Sequence, residues 1–202
     1  MKFSLVKRID KFDKRFVCRI NQKNFHSIIE FFFKVSSHIG SFVFWTSFAF
    51  IAYVLDLFDL SFWLYATCIN GGIIALSLKL IFRRDRPFID KEIGKFIVLK
   101  DKFVISKHTS FPSGHSVYFS ACSIILLYVY NYWWLYLLII PIGFIVAYTR
   151  VILGAHYPSD VIFGFLIGAI ASIITIIVFP YYLPLFCKIS NKLREWWWSL
   201  FY

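Results

Sequence analysis

Residues 61–82, SFWLYATCINGGIIALSLKLIF, form an apolar run interrupted chiefly by Asn70, Ser77 and, near its end, Lys79. As a helix rising about 1.5 Å per residue, this stretch reaches about 33 Å, enough to cross the hydrocarbon of a bilayer. It reads as one membrane span. The composition agrees: of 202 residues, 59% are hydrophobic and 16% charged, the balance of an integral membrane protein. Working outward, four more apolar segments follow the same pattern, at 42–58, 115–130, 133–149 and 161–179. Polar turns such as Asp56-Leu57-Phe58-Asp59 and Asn131-Tyr132 join them. The expected fold is all-α, a polytopic bundle of about five transmembrane helices over residues 42–180. A single integral membrane domain is expected to occupy the whole of 1–202, with no soluble domain and no repeat.

Residues 1–40 have a different character. Lys2, Lys7, Arg8, Lys11, Lys14, Arg15, Arg19 and Lys23 leave no apolar core for a cleavable signal peptide, so none is expected. Phe3, Leu5, Val6, Ile9, Phe12, Phe16, Val17 and Ile20 recur among these cations at roughly helical spacing, which predicts an amphipathic helix on an anionic membrane surface. A basic and aromatic tail is expected at 181–202. The net charge of +11 points to lipid headgroups rather than nucleic acid, because Lys and Arg gather at the span ends. Trp133, Trp134 and Trp196 to Trp198 suit interfacial belts. Cys18, Cys68, Cys122 and Cys187 make no CxxC or other ligand pattern, so neither zinc nor a disulfide framework is expected.

Three fragments carry the candidate chemistry. In the first, Lys79 and Arg86 are separated by two helical turns, a spacing that lets both project toward one point, and Pro87 ends any helix there. Lysine offers a point charge and arginine a planar fork for two phosphate oxygens. The second fragment, Pro112-Ser113-Gly114-His115, opens a span; the free N–H groups of a helix start attract an anion and glycine admits close approach. The third is Thr149-Arg150, then His156, then Asp160, with Pro158 suited to the first helical position of the last span. From that first turn Asp160 can reach back to a ring nitrogen of His156 and set its tautomer. Each fragment also has an ordinary reading: snorkelling cations for Lys79, Arg86 and Arg150, an N-cap for Ser113, a surface residue for His115, dipole pairing for Asp160. Their convergence is harder to explain that way, because a five-helix topology puts all three on one side of the membrane.

Together these fragments resemble the three-part signature of the type-2 phosphatidic acid phosphatase superfamily, over about residues 42 to 180. Thr149 stands where that family usually has serine. The resemblance implies a membrane lipid phosphatase that needs no metal or other cofactor and works through a phosphohistidine. His156 would be the nucleophile, Asp160 its orienting group, and His115 general acid and then base. Lys79, Arg86, Ser113, Gly114 and Arg150 would hold phosphate. Two other readings are a phosphotransferase passing phosphate to a second lipid and a non-catalytic anionic-lipid binder; the histidines and the carboxylate argue against the latter, since binding needs only cations.

Lys91, Lys95, Lys100, Lys102 and Lys107, with Arg83 and Arg84, exceed what one phosphate monoester requires. They favour a headgroup with several anionic groups: lipid A 1-phosphate, phosphatidylglycerol phosphate or a polyprenyl diphosphate, in that order. Sidedness meets two opposed signals. The basic N-terminal segment and the candidate site share one face, which the positive-inside rule places in the cytoplasm. The resemblance implies an extracytoplasmic site in a cell membrane, bacterial and inner, and is preferred because the site cations have a catalytic reason for their position.

Overall fold

A computed structural model describes residues 2–23, 26–100 and 108–199. Among these, the regular elements are all helical: α1 (Lys2–Asn21), α2 (Ser27–His38), α3 (Phe42–Val54), α4 (Phe58–Phe82), α5 (Gly114–Tyr130), α6 (Trp133–Ile152) and α7 (Pro158–Ser199), with two short 3₁₀ turns at Pro87–Ile89 and Gly94–Phe96. The all-helical membrane bundle is therefore present. Helices α4, α6 and α7 are each long and apolar enough to cross a bilayer. At 17 residues, α5 is shorter. Helix α3, at 13 residues, reaches spanning length only together with α2, across a break bent by 61°. Helix α7 runs on through Pro180 and Pro184 to Ser199, so that the basic and aromatic stretch from 181 continues the last helix as far as it is described.

The bundle is organised around the seam between α5 and α7. Lipid is as apolar as leucine, so helices in a membrane associate by close packing and polar contact rather than by escape from water. Gly164 and Gly168 supply that closeness. A Cβ at Gly164 would lie 2.7 Å from Ser116 Cβ, and one at Gly168 would lie 2.5 Å from the Val117 carbonyl oxygen. On the far side of α7, the Asn70 amide of α4 donates to Thr175 Oγ1 at 3.0 Å, a polar tie inside the membrane. Trp45, Trp63, Leu64, Phe119, Ile125 and Phe179 fill the centre, where Trp63 meets Phe179 edge-on at 4.8 Å. The Cys68 and Cys122 thiols meet at 3.6 Å between α4 and α5. Outward-facing Ile73, Leu76, Leu137, Phe144, Leu166 and Ile173 are exposed, as a lipid-facing surface requires.

The predicted amphipathic helix is α1. It leaves Val6, Phe12 and Phe16 exposed while burying Asp13, Val17, Ile20 and Asn21 against the protein. Asn21 ties its end to the bundle, donating to the Val98 and Ile152 carbonyls at 2.9 Å each and accepting from Val98 N–H at 2.8 Å. Burial and the Asp90 carboxylate push the Cys18 thiol up, which makes it a poor target for thiol reagents.

Candidate active site

All three fragments meet where α4 ends, α5 begins and α6 passes into α7. His156 lies in the short connection before Pro158 and is buried. Its Nδ1 is 2.7 Å from the backbone carbonyl oxygen of Ser110. A carbonyl only accepts, so Nδ1 carries the proton and Nε2 keeps its lone pair. That lone pair faces Arg86 Nη1 at 3.2 Å, and Arg86 also donates to the Ala155 carbonyl at 3.0 Å. Burial first, and then the cations Arg86, Lys79 and Arg150, hold His156 well below the usual histidine range, with the Ser110 hydrogen bond opposing them. Burial and the surrounding cations both favour the neutral imidazole over the imidazolium.

Asp160 does not reach back as expected. Its Oδ2 stands 3.8 Å from His156 Nδ1, beyond hydrogen-bond range. Instead Oδ2 accepts from Ser110 Oγ at 2.5 Å and from Tyr157 N–H at 3.0 Å, while Oδ1 accepts from Arg84 Nη1 at 2.7 Å. Ser110 N–H in turn donates to the Arg84 carbonyl at 2.9 Å. The carboxylate thus holds the serine whose carbonyl holds the histidine. Ser110 and Arg84 are the residues that sequence reasoning missed here, although both lie within two residues of the motifs that it singled out.

The cations also arrive by a different route. Helix α4 stops at Phe82 because Arg83 turns left-handed, with φ 41°, so Arg86 is not on the helix and the two-turn spacing from Lys79 is not what aligns them. The chain reverses and brings Arg86 in from its extended stretch before Pro87. Lys79 Nζ donates to the Thr109 carbonyl at 2.8 Å. Arg150 does not snorkel: it is 2% exposed and donates from Nη1 to Ser37 Oγ of α2. Ser113 precedes α5 without capping it, its Oγ accepting instead from Ser116 Oγ at 3.0 Å. Its N–H donates to the Asp160 carbonyl at 3.0 Å, which joins the second fragment to the third.

Gly114 opens α5 with space in front of it, the nearest atom to a built Cβ being a Tyr118 ring carbon at 4.0 Å. The first N–H groups of a helix lack partners within it and so face that space as anion donors. His115, in the same turn, lies within electrostatic reach of His156, Arg150, His38 and Arg86. From Gly114 and Lys79, an apolar groove of about 450 Å³ runs along α4 and α5, lined by Ile69, Gly72, Ile73 and Leu76. Among the described residues, no three His, Cys, Asp or Glu side chains gather as a metal site needs.

Several expected headgroup cations have other partners. Lys100 pairs with Glu30 at 3.0 Å and Arg84 with Asp13 at 2.8 Å, whereas Arg83, Lys91 and Lys95 are exposed. Lys102, Lys107 and the side chains of Trp196 to Trp198 lie outside the described residues.

Comparison with known proteins accords with this arrangement. The lipid A 1-phosphatase of Rhizobium johnstonii is 37% identical over 123 residues, covering 58% of this chain and 47% of that protein. The chain thus spans about half the length of that curated relative. The crystal structure of Aquifex aeolicus LpxE superposes with a TM-score of 0.67 at 22% identity, covering 82% of this chain and 94% of that one. The PAP2 type phosphatidylglycerolphosphate phosphatase of Bacillus subtilis superposes with a TM-score of 0.61 at 19% identity, covering 83% and 84%. At those identities the likeness is one of fold. The family model described as the PAP2 superfamily matches residues 60–184, a stretch holding all three fragments and the helices that carry them, and the chain belongs to that superfamily.

Proposed function

We propose that this protein is a metal-independent membrane lipid phosphatase that works through a phosphohistidine at His156. The observation that carries the reading is the tautomer of that histidine: the Ser110 carbonyl accepts from Nδ1–H, so the lone pair is left on Nε2, facing Arg86 at 3.2 Å in the field of Lys79 and Arg150. Nε2 attacks phosphorus in line, and the bond from phosphorus to the lipid oxygen breaks. His115 gives its proton to the departing oxygen, then takes one from the water that cleaves the N–P bond and releases phosphate. Lys79, Arg86 and Arg150, with the first N–H groups of α5 from Gly114 onward, compensate the charge on the equatorial oxygens, the task that magnesium performs elsewhere; Ser113, its own N–H given to the Asp160 carbonyl, sets the start of that helix. Asp160 acts through Ser110.

The substrate favoured is lipid A 1-phosphate, on the strength of the Rhizobium johnstonii relative and of the exposed Arg83, Lys91 and Lys95 in the segment that also carries Arg86. Phosphatidylglycerol phosphate and polyprenyl diphosphates follow. The apolar groove beside Gly114 would take an acyl chain. The site is placed on the outer face of a bacterial inner membrane. A cysteine at exposed Lys11, in a chain otherwise without cysteine, would then be labelled in intact cells by an impermeant reagent; protection there with labelling after lysis would put the site in the cytoplasm.

The test of function is phosphate release from purified lipid A, phosphatidylglycerol phosphate and undecaprenyl diphosphate in excess EDTA. Release from at least one is expected. Activity that is lost to EDTA and restored by magnesium, or no release from any, would contradict the reading, and phosphate recovered on a second lipid would make the enzyme a transferase.

A further inference from the structure

The superfamily match begins at residue 60, yet one of the two fully buried carboxylates on the approach to His156 belongs to α1. Asp13 is fully buried, an unusual place for an acid in a helix otherwise full of cations. Its Oδ1 accepts from Ser159 N–H at 3.0 Å, and its Oδ2 accepts from Ser159 Oγ and from Arg84 Nη2, the latter at 2.8 Å. Arg84 is thereby held between two carboxylates, Asp13 on Nη2 and Asp160 on Nη1, and its guanidinium lies 4.1 Å over the Tyr157 ring. From Asp160 the connection passes through Ser110 to His156 Nδ1.

We infer that Asp13 is a positioning residue for His156, which makes the N-terminal helix part of the catalytic apparatus rather than only a membrane-surface anchor. The physical argument is one of balance. Arg84 is largely buried, and a guanidinium there needs its full set of acceptors. With Asp13 neutral, Arg84 loses the nearer of the two carboxylates on Nη2, Asp10 standing off at 3.8 Å, and competes for Asp160 in a new geometry. Asp160 then loosens from Ser110, and the Ser110 carbonyl no longer fixes which nitrogen of His156 carries the proton. Another tie of α1 to the rest of the protein, Asn21 on Val98 and Ile152, does not touch this chain of contacts and serves as a control.

This inference rests on the proposed function, and its test separates the two. Wild type, Asp13→Asn and Asn21→Ala are compared on the panel lipid that wild type hydrolyses. Asp13→Asn is expected to lower kcat by about tenfold or more with KM within about threefold, whereas Asn21→Ala loses thermal stability with kcat within about twofold. Equal loss of kcat in both variants, in step with their stability, would reduce Asp13 to a structural tie and overturn the inference, as would wild-type kcat in Asp13→Asn. Should Asp13→Asn fail to fold, Ser159→Ala acts more gently, removing a hydroxyl that donates to Asp13 and accepts from Arg84 Nη1 at 2.8 Å and so steadies their direct pair: a kcat loss of about threefold or more at wild-type stability supports the inference, and unchanged kcat overturns it. Should wild type hydrolyse none of the lipids, the proposed function falls, while histidine ¹⁵N spectra still report on Asp13. His156, assigned from the signal lost in His156→Ala, is expected to be the Nδ1–H tautomer in wild type and a mixture in the folded Asp13 or Ser159 variant; an unchanged tautomer would overturn the inference.

Discussion

The two ends of the helical bundle are built on opposite principles. At one end, three residues join α3 to α4 and two join α5 to α6, all of them exposed, with Trp133 and Trp134 standing out beside them as an interfacial belt. At the other end, the connections run from 83 to 113 and from 153 to 157, and α1 folds back over them. Here Asp13, Arg86, Ser110, Ser113, Arg150, His156 and Asp160 are all buried. Burying charge is costly unless each group is paired and hydrogen-bonded, so that end persists only as a network whose members depend on one another. The simple end needs only local turn chemistry. Substitutions should therefore act through function at one end and through modest local stability at the other.

That contrast can be broken or sharpened by four substitutions. His156→Ala should lower kcat by about 10⁴-fold or more in phosphate-release assays while the protein still elutes as a folded species, because it removes the reacting atom. Arg150→Lys keeps the charge but not the fork that spans Ser37 and the pocket, and a loss of about 10²-fold in kcat/KM is expected. Wild-type kinetics there would return Arg150 to an ordinary helix-end cation. Gly168→Leu lies in the α5–α7 seam between the two ends, where a Cβ already meets the Val117 carbonyl oxygen at 2.5 Å. Forcing the helices apart should cost about 1–3 kcal/mol in detergent unfolding measurements. At the simple end, Asn131 is left-handed at φ 44°, and Asn131→Ala should cost about 1 kcal/mol with kcat unchanged. A large loss of kcat in Asn131→Ala would erase the distinction between the two ends.

Legibility followed the same division. The turn at Asn131-Tyr132, the apolar runs and the helical start at Pro158 are local patterns, and the helices lie where those patterns put them, although α6 runs on to Ile152 and α7 to Ser199. The site motifs were readable as residue types, and the structure brings them together. The wiring between them was not readable. Asp160 serves His156 through Ser110, 50 positions away in the chain, because the carboxylate already receives Arg84 and Tyr157 and stops 3.8 Å from the ring nitrogen, short of a hydrogen bond. Lys79 and Arg86 converge through a left-handed residue at Arg83 that no helical spacing announces. Asp13 left one readable trace, as an acid on the stripe that includes Val17 and Ile20, yet its partner Ser159 lies 146 positions on.

The central claim, that His156 carries the phosphoryl group, is tested most directly by trapping the intermediate. The purified enzyme, in EDTA, is mixed with the lipid that it hydrolyses, quenched in alkali within one turnover, and its peptides examined by mass spectrometry. The account predicts one added phosphoryl group on the peptide containing His156, stable in alkali and lost in acid, and absent from His156→Ala. Phosphate release at the full rate with the group on another side chain, or with His156→Ala still turning over, would contradict it.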